Sequence, residues 1–391
     1  MDLDSVIVRF GGEIGIKGKW TRHSYERRIL DNIQKALQYH NVPYHRFIRR
    51  RGRLYINTRK AEEACRKITR VFGVSSASPA VETKSEMNEV TEQAVQLAGD
   101  TLTQGSGFAV RCRRVGEHPY SSLDICREAG EKILTEYTNR NVKVDLTNPQ
   151  FTIGIEIRGE KAYLFSKTLN GMGGFPLGAQ AKAVCLLSGG TDSAVACWLA
   201  MKRGCPTTPI YFDNSPFTDQ KATTRALDTA QKIFEWSIEF PRKVYVVPHG
   251  ENLEIFSTSS PRHLTCILCK RLMYRIAERI AEKEEAEGII TGDSIGEQAS
   301  QTLSNLRVLS QAVTEYPIHR PLLGFNKVET EELARKIGTF RISTRAAGGC
   351  DAVPQKPVTK ALLKTVKKAE QELDIERMIS KSMAHSKIVE V

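Results

Sequence analysis

The sequence predicts an α/β protein whose C-terminal half is a doubly wound parallel sheet, preceded by smaller α+β domains. Three observations lead there. At 391 residues the chain is too long for one typical domain. From residue 181 onward near-continuous apolar strands alternate with helical patterns, as strands covered on both faces of a parallel sheet do. Before that point the alternation is irregular, and NGMGGFPLG at 170–178 closes the region with the turn chemistry of a linker. The expected division is 1–60, 61–175 and 176–391.

The elements follow in order. VIVRF reads as a strand, GGEIGIKGK as a glycine-rich turn, YERRILDNIQKAL as a helix, and HRFIRR and RLYINT as a strand pair. EEACRKITRVF and EVTEQAVQLAGDTL are helical in period, GFAVRCRR is a strand, DICREAGEKILTEY a helix, and VKVDL, FTIGIEIRG and KAYLFSKTL are strands. In the last region the strands AVCLLS, PIYFDN, KVYVVPH and GIITGD alternate with the helices AVACWLAMKRG, ATTRALDTAQKIF, ILCKRLMYRIAERIAEKE and ETEELARKIG. KALLKTVKKAEQELDIERMISKSM is predicted as one basic helix near the end.

Composition narrows the class. Hydrophobic residues make up 40% and charged residues 26%, the balance of a water-soluble globular protein. No apolar run approaches the ~20 residues of a membrane helix, and MDLDSVIVRF lacks the layout of a secretory signal. A cytoplasmic protein without a membrane partner is therefore expected. The net charge of +12 points to a polyanionic partner such as nucleic acid, with a merely solvated basic surface as the alternative on charge alone. Nine cysteines at irregular spacing argue against a disulfide framework. Cys65, Cys112, Cys126, Cys185, Cys197 and Cys205 sit among apolar neighbours as packing residues, which sets apart Cys266, Cys269 and Cys350.

In a doubly wound sheet ligands bind at the carboxyl ends of the strands, and LLSGGTDS at 186–193 follows the first strand of this region. It lacks the Walker lysine and the dinucleotide spacing. Gly189 and Gly190 allow positive φ and close approach of backbone N–H groups to an anion, with Thr191, Asp192 and Ser193 leading into a helix N-terminus. A carboxylate cannot hold phosphate directly, so Asp192 implies a bridging Mg²⁺. The competing reading is a tight turn with Asp or Ser as N-cap.

SGGTDS resembles the SGGxDS signature of the PP-loop ATP pyrophosphatases, which cleave ATP between the α and β phosphates and adenylate a substrate. TGDSIGEQASQTLSNL, HRPLLGFNKVETEELARKIGT and GGEIGIKGK are similar to stretches of the tRNA 4-thiouridine synthetases. FAVRCRRVGEHPYSS, VDLTNP and NGMGGFPLG resemble a THUMP RNA-binding domain. The resemblance implies a ferredoxin-like segment at 1–60, a THUMP domain at 61–175 and a Rossmann-like PP-loop domain at 176–391. It places ATP against Leu186, Leu187, the loop Ser188, Gly189, Gly190, Thr191, Asp192 and Ser193, the pair Tyr211 and Phe212 flanking adenine, and Lys270, Gly292 and Gln301. Lys270, at the start of its helix, would neutralise phosphate charge. Asp293 stands where the family commonly has a glutamate.

The implied reaction is ATP-dependent sulfur transfer to a tRNA uridine through an adenylated uracil, with AMP and pyrophosphate released. Longer family members carry a rhodanese domain with a persulfide cysteine. None is read in this sequence, so sulfur is expected to arrive by another route, from sulfide or a persulfide-carrying protein, and a second role in thiazole synthesis is disfavoured. Cys350 in AAGGCDAVPQKP lies at the position of the family's second catalytic cysteine. Cys266 and Cys269, three apart in TCILCK, share a helix face. With Cys350 they suit an Fe–S cluster with one open iron; a redox dithiol or persulfide pair, a zinc site completed by His263, and simple packing stay open.

For RNA, IRRRGRLYI offers Arg49, Arg50, Arg51 and Arg53, and RCRR offers Arg111, Arg113 and Arg114, all as phosphate contacts. Recognition is expected to follow tRNA shape, chiefly the acceptor arm and 3′ end. A homodimer is compatible with these readings. Two rivals remain: a PP-loop ligase adenylating another substrate or tRNA base, and an RNA-binding protein that uses the nucleotide as a switch.

Overall fold

The structure, a computed structural model, describes residues 2–50 and 52–391, and its chain divides into two units, Met1–Pro176 and Leu177–Val391. Among the described residues no helix is long and apolar enough to cross a membrane.

In the first unit β1 (Ser5–Phe10), α1 (Lys19–Tyr39), β2 (Arg46–Arg50), β3 (Arg53–Asn57), α2 (Ala61–Ile68) and β4 (Val74–Lys84) form a βαββαβ arrangement. The strand order β2-β3-β1-β4, antiparallel throughout, makes it ferredoxin-like. Strand alternation decides what each face buries. Val6, Val8, Leu54 and Ile56 meet Ile29, Ile33 and Leu37 of α1 and Ala64, Cys65 and Ile68 of α2, while Ile7 and Tyr55 turn to the opposite face. The unit thus runs on past residue 60, because α2 and β4 are needed to cover and close the sheet.

α3 (Met87–Thr101), β5 (Gly107–Val115), α4 (Ser122–Glu136), β6 (Phe151–Arg158) and β7 (Lys161–Phe165) complete this unit with a second α/β layer. β4 spans 11 residues: its first part pairs with β1 and its last part with β7, so one strand serves both halves of a continuous sheet. α4 starts at a capping box between Ser121 and Asp124. The expected strand VKVDL contracts to Lys143–Val144 beside β5, because Asp145 instead accepts the N–H groups of Thr147 and Asn148 and turns the chain.

On the face away from the helices lies a carboxylate that is 2% exposed. Glu156 pairs with Arg9 (3.0 Å), Arg158 (2.8 Å) and Arg53 (3.4 Å) and accepts the Tyr55 hydroxyl at 3.1 Å. Burial pushes its carboxyl up, and the three guanidiniums more than offset this and hold it below the ordinary value. Removing the anion leaves three crowded cations. Glu156→Gln is expected to lower stability by about 3–5 kcal/mol, read from urea unfolding; a loss under about 1 kcal/mol would show the cluster to be solvated rather than buried.

In the second unit β8 (Ala183–Leu186), α5 (Thr191–Lys202), β9 (Thr207–Asp213), α6 (Gln220–Phe234), β10 (Lys243–Pro248), α7 (Gly250–Thr258), α8 (Thr265–Lys283), β11 (Ile289–Ile290), α9 (Leu303–Ser310), β12 (Ile318–His319) and α10 (Lys327–Ile337) alternate as expected. The order β12-β11-β8-β9-β10 is parallel throughout. α5, α6 and α10 cover one face, and α7 and α8 the other. The chain reverses its direction of travel at β8, so the switch point opens there.

The predicted single helix over 360–383 is instead two, α11 (Leu363–Gln371) and α12 (Ile375–Ala384), broken where Asp374 caps the second. A strand not expected from the sequence, β13 (Lys387–Glu390), then adds antiparallel to β10 at the sheet edge. Glu370 of α11 accepts a bidentate contact from fully buried Arg271 of α8 at 2.7 and 2.9 Å, and a second from Arg275. This anchors α8, whose first two turns carry Cys266, Cys269 and Lys270.

Candidate functional site

A cleft of about 550 Å³ opens at the carboxyl ends of β8, β9 and β11. Its wall includes Leu186, Leu187, Ser188, Gly190, Asp192, Ser193, Tyr211, Phe212, Lys270, Gly292 and Gln301, together with Cys266, Cys269 and Cys350. Residues more than 150 positions apart in sequence thus meet in one place. Gly189 and Thr191 do not line it. Gly189 holds φ +75, and a Cβ there would come within 2.8 Å of the Ala226 backbone in α6; Thr191 is buried against Ser343. Gly190 has φ −80, so only one of the two glycines uses the left-handed region.

The loop is braced from within. The Ser188 N–H donates to Ser193 Oγ at 3.2 Å, the two hydroxyls are 3.1 Å apart, and Ser193 Oγ donates to the Gly190 carbonyl. Gly190 is the N-cap of α5 and no side chain caps the helix, so the turn with Asp or Ser as N-cap is not what forms. The positive end of α5 meets the cleft here, where the helix dipole favours an anion. Gly292 lets the loop after β11 come close: a Cβ there would stand 2.7 Å from the Ser193 nitrogen.

Two charged networks flank the loop. Lys327, first residue of α10, holds both Asp192 oxygens at 3.1 Å and Glu297 at 2.8 Å. Burial pushes the Asp192 carboxyl up, with Lys327 pulling it partly back. Asp293, 4% exposed, accepts from Lys270 at 3.0 Å, Tyr274 and Thr291 at 2.8 Å, Gln301 at 3.3 Å and Arg320 at 3.4 Å. Burial raises that carboxyl, and Lys270, Tyr274 and Thr291 outweigh it and hold it well below the usual carboxylate range. Lys270 sits in the second turn of α8, not at its start, and Asp293 orients its ammonium. Lys327 and Arg320 belong to HRPLLGFNKVETEELARKIGT, where sequence reasoning assigned no role. The Asn326–Glu329 capping box was the available signal that Lys327 opens a helix.

Tyr211 and Phe212 both border the cleft, at the end of β9, and their side chains part. Tyr211 shares a 3.2 Å hydrogen bond with Thr223 of α6, while Phe212 packs edge-on to His249 at 5.4 Å, because successive strand residues point to opposite faces.

The cysteines face the same cleft from two sides. Cys266 and Cys269 lie in the first turns of α8; Cys350 lies in a loop pinned where the Asp351 N–H donates to the Phe217 carbonyl at 2.9 Å. Burial raises all three thiols, and the neighbouring sulfurs add to this for Cys266 and Cys269. Among the described residues no three His, Cys, Asp or Glu side chains are drawn close enough for one metal ion, and His263 is exposed. A cluster places each thiolate on a different iron, so its ligands stand farther apart than those of one ion. Three soft sulfurs on one cleft fit that donor set. The other six cysteines are buried or half-buried, as expected of packing residues.

Cys269 Sγ lies 3.4 Å from Nε2 of His249, which is fully buried and receives the Asn252 amide on Nδ1 at 3.2 Å. Burial lowers the His249 pKa to about 3, so the ring is neutral at all working pH values. The unfolded chain takes up that proton below about 6.5. Stability is therefore expected to fall between about pH 6.5 and 3, with a slope approaching about 1.4 kcal/mol per pH unit from this residue, and to rise no further above 6.5. His249→Gln should flatten that part of the acid limb in pH-dependent unfolding; an unchanged limb would show the ring to be solvated.

The arginines expected to bind RNA divide in two. Arg50, Arg111 and Arg113 are exposed on β2 and β5, with Arg111 also donating to the Leu146 carbonyl at 3.2 Å, and Arg49 is half-buried 2.8 Å from His23. Arg53 is paired with buried Glu156, and Arg114 contacts the Gly116 carbonyl and His118 through one of its nitrogens. Arg51 lies outside the described residues.

Comparison with known proteins finds three matched stretches of the chain. Residues 178–375 match the family described as thiamine biosynthesis protein (ThiI), 5–78 the ThiI ferredoxin-like domain and 84–167 the THUMP domain. A Methanosarcina mazei protein named "Probable tRNA sulfurtransferase" is 41% identical across 100% of this chain and 96% of its own length. One of the same name from Methanothermobacter thermautotrophicus is 37% identical over 97% of this chain and 96% of its length. A crystal structure described as a 4-thiouridine synthetase–RNA complex with bound ATP superposes with TM-score 0.89 at 30% identity, covering 99% of both chains. PH1313 from Pyrococcus horikoshii Ot3 superposes with TM-score 0.69 at 26% identity, covering 86% of this chain and 99% of that one.

Proposed function

The chain belongs to the ThiI family of tRNA sulfurtransferases, and from that premise we propose that it uses ATP to adenylate a tRNA uridine and then replaces the activated oxygen with sulfur, giving 4-thiouridine. One observation carries the reading: a single cleft gathers the SGGTDS loop, the Lys270–Asp293 pair and all three set-apart cysteines.

The uracil carbonyl oxygen is a poor leaving group. Its O4 attacks the α-phosphorus of ATP, the bond to the bridging oxygen breaks, pyrophosphate leaves, and the N3 proton passes to water. Hydrosulfide then attacks C4, the C4–O bond breaks, AMP departs with the electron pair, and the hydrosulfide proton ends on N3. The N-terminal end of α5 and the ammonium of Lys270 stabilise charge on the phosphates. Asp293 fixes that ammonium, and Lys327 holds Asp192 at the mouth of the loop. Asp192 is the residue that would hold Mg²⁺ with the phosphates, since one carboxylate with substrate oxygens is an ordinary magnesium site. Cys266, Cys269 and Cys350 would hold an Fe–S cluster whose open iron supplies a place to bind sulfide. Nucleoside mass spectrometry of tRNA from cells lacking the protein tests the reading: a normal level of 4-thiouridine would sink it.

RNA binding falls to residues 1–175 and chemistry to 176–391 in this reading. Most of the net positive charge lies in the first 70 residues. If exposed arginines make phosphate contacts, Arg113→Ala lowers the slope of log K against log salt by about one, whereas Arg53→Ala leaves the slope unchanged and costs stability. Equal slopes for wild type and Arg113→Ala would remove Arg113 from the interface.

A further inference from the structure

A second cavity of about 420 Å³ is lined by His263, Ile267, Ala299, Pro357 and Val358, and it shares Cys266, Gln298, Ser300 and Val353 with the cleft. The two spaces therefore meet at a common wall that includes one of the three sulfurs. We propose that this cavity receives the target uracil, flipped out of the tRNA, and that Gln298 reads its Watson–Crick edge. The inference rests on the reaction proposed above, in which C4 must face both the α-phosphate and the sulfur carrier. A base seated on the wall between cleft and cysteine meets both requirements.

The lining suits a pyrimidine. Ile267, Val353, Pro357 and Val358 offer apolar surfaces to the ring faces, as pockets for flipped bases do. The volume lies within the ~300–1,000 Å³ of small-ligand sites. Uracil presents a donor, N3–H, between two carbonyl acceptors. A glutamine amide carries the matching acceptor and donor, so it can accept N3–H and donate to O2 while O4 stays free for the cleft. Cytosine, with a lone pair on N3, cannot make that pair.

The walls are built rather than loose. Asn305, fully buried, donates to the Ala299 carbonyl at 2.7 Å and the Val358 carbonyl at 2.8 Å and accepts the Ala361 N–H at 2.9 Å, so one side chain clamps both sides. The Val358 N–H donates to the His263 carbonyl at 3.2 Å, and the Thr302 hydroxyl to the Thr359 carbonyl at 2.6 Å. A base admitted there is held to a fixed orientation, as reaction at one carbon requires.

The test uses the full-length protein, tRNA, ATP and sulfide. Ala299→Phe, which fills the cavity, should cut tRNA-dependent AMP formation and thiolation by about 100-fold or more while ATP and tRNA affinities change less than about three-fold. Gln298→Leu, at an exposed position, should lower both rates about 10- to 100-fold with ATP and tRNA affinities again within about three-fold of wild type. Full thiolation by both variants overturns the proposal. So does loss of ATP binding in Ala299→Phe, which would assign the cavity to the nucleotide, or thiolation kept with sulfide but lost with a persulfide-carrying protein, which would make it a donor port. Wild-type protein that thiolates no tRNA would take down the proposed reaction and this inference together; active wild type with active variants removes only the inference.

Discussion

Cys350→Ser is expected to keep tRNA-dependent AMP formation within about ten-fold of wild type and to reduce 4-thiouridine to background. The loop that carries it is fixed by contacts outside its side chain: the Asp351 N–H to the Phe217 carbonyl at 2.9 Å and the Gly348 N–H to Asp219 Oδ2 at 3.4 Å. A hydroxyl therefore takes the place of the thiol without moving the loop, and it is neither a persulfide carrier nor a soft-metal ligand. Adenylation and sulfur transfer would uncouple. Protein prepared without oxygen should absorb in the visible, and alanine at Cys266, Cys269 or Cys350 should each weaken that band, whereas Cys112→Ala, packed against the core of the first unit, should not. Colourless anaerobic protein that still thiolates with sulfide would exclude the cluster and leave the dithiol reading. Unchanged thiolation by Cys350→Ser would remove this cysteine from the reaction.

Asp192→Ala should abolish pyrophosphate release, by about 10³-fold or more, with tRNA affinity within about two-fold of wild type. The carboxylate lies in the first turn of α5, and its main partner, Lys327, is 135 residues away on α10. Deleting it frees a lysine next to the phosphates and removes the one acidic group on the loop. Lys327→Met separates positioning from charge: if Lys327 only aims Asp192, the variant should lose less activity than Asp192→Ala and respond to raised magnesium. Parallel loss of tRNA binding and adenylation would make Asp192 a structural residue.

Much of this site was legible in the linear chain. Strand, double glycine, hydroxyls and aspartate in LLSGGTDS are contiguous, so local sterics alone place an anion-binding turn at the end of β8. The alternation of apolar strands with helices likewise identified the parallel sheet, and the spacing of Cys266 and Cys269 their common helix face, because the periods of 2 and 3.6 are properties of the backbone itself. What local pattern cannot supply is which distant groups a buried charge will find. Asp293 is held by partners from α8, the loop after β11, the Gln301 turn and the residue after β12; Arg53 and Arg113 look alike in sequence, yet only Arg53 meets Glu156. A charge removed from water must be met by opposite charge and hydrogen bonds wherever the closed fold brings them, and that meeting is set by the packing of whole elements. For the same reason the sequence by itself determined the phosphate loop and the candidate cysteines. Only the tertiary structure decided that Lys327 meets Asp192, that Tyr211 finds Thr223 and Phe212 finds His249, and that Cys266 stands on the wall between two cavities.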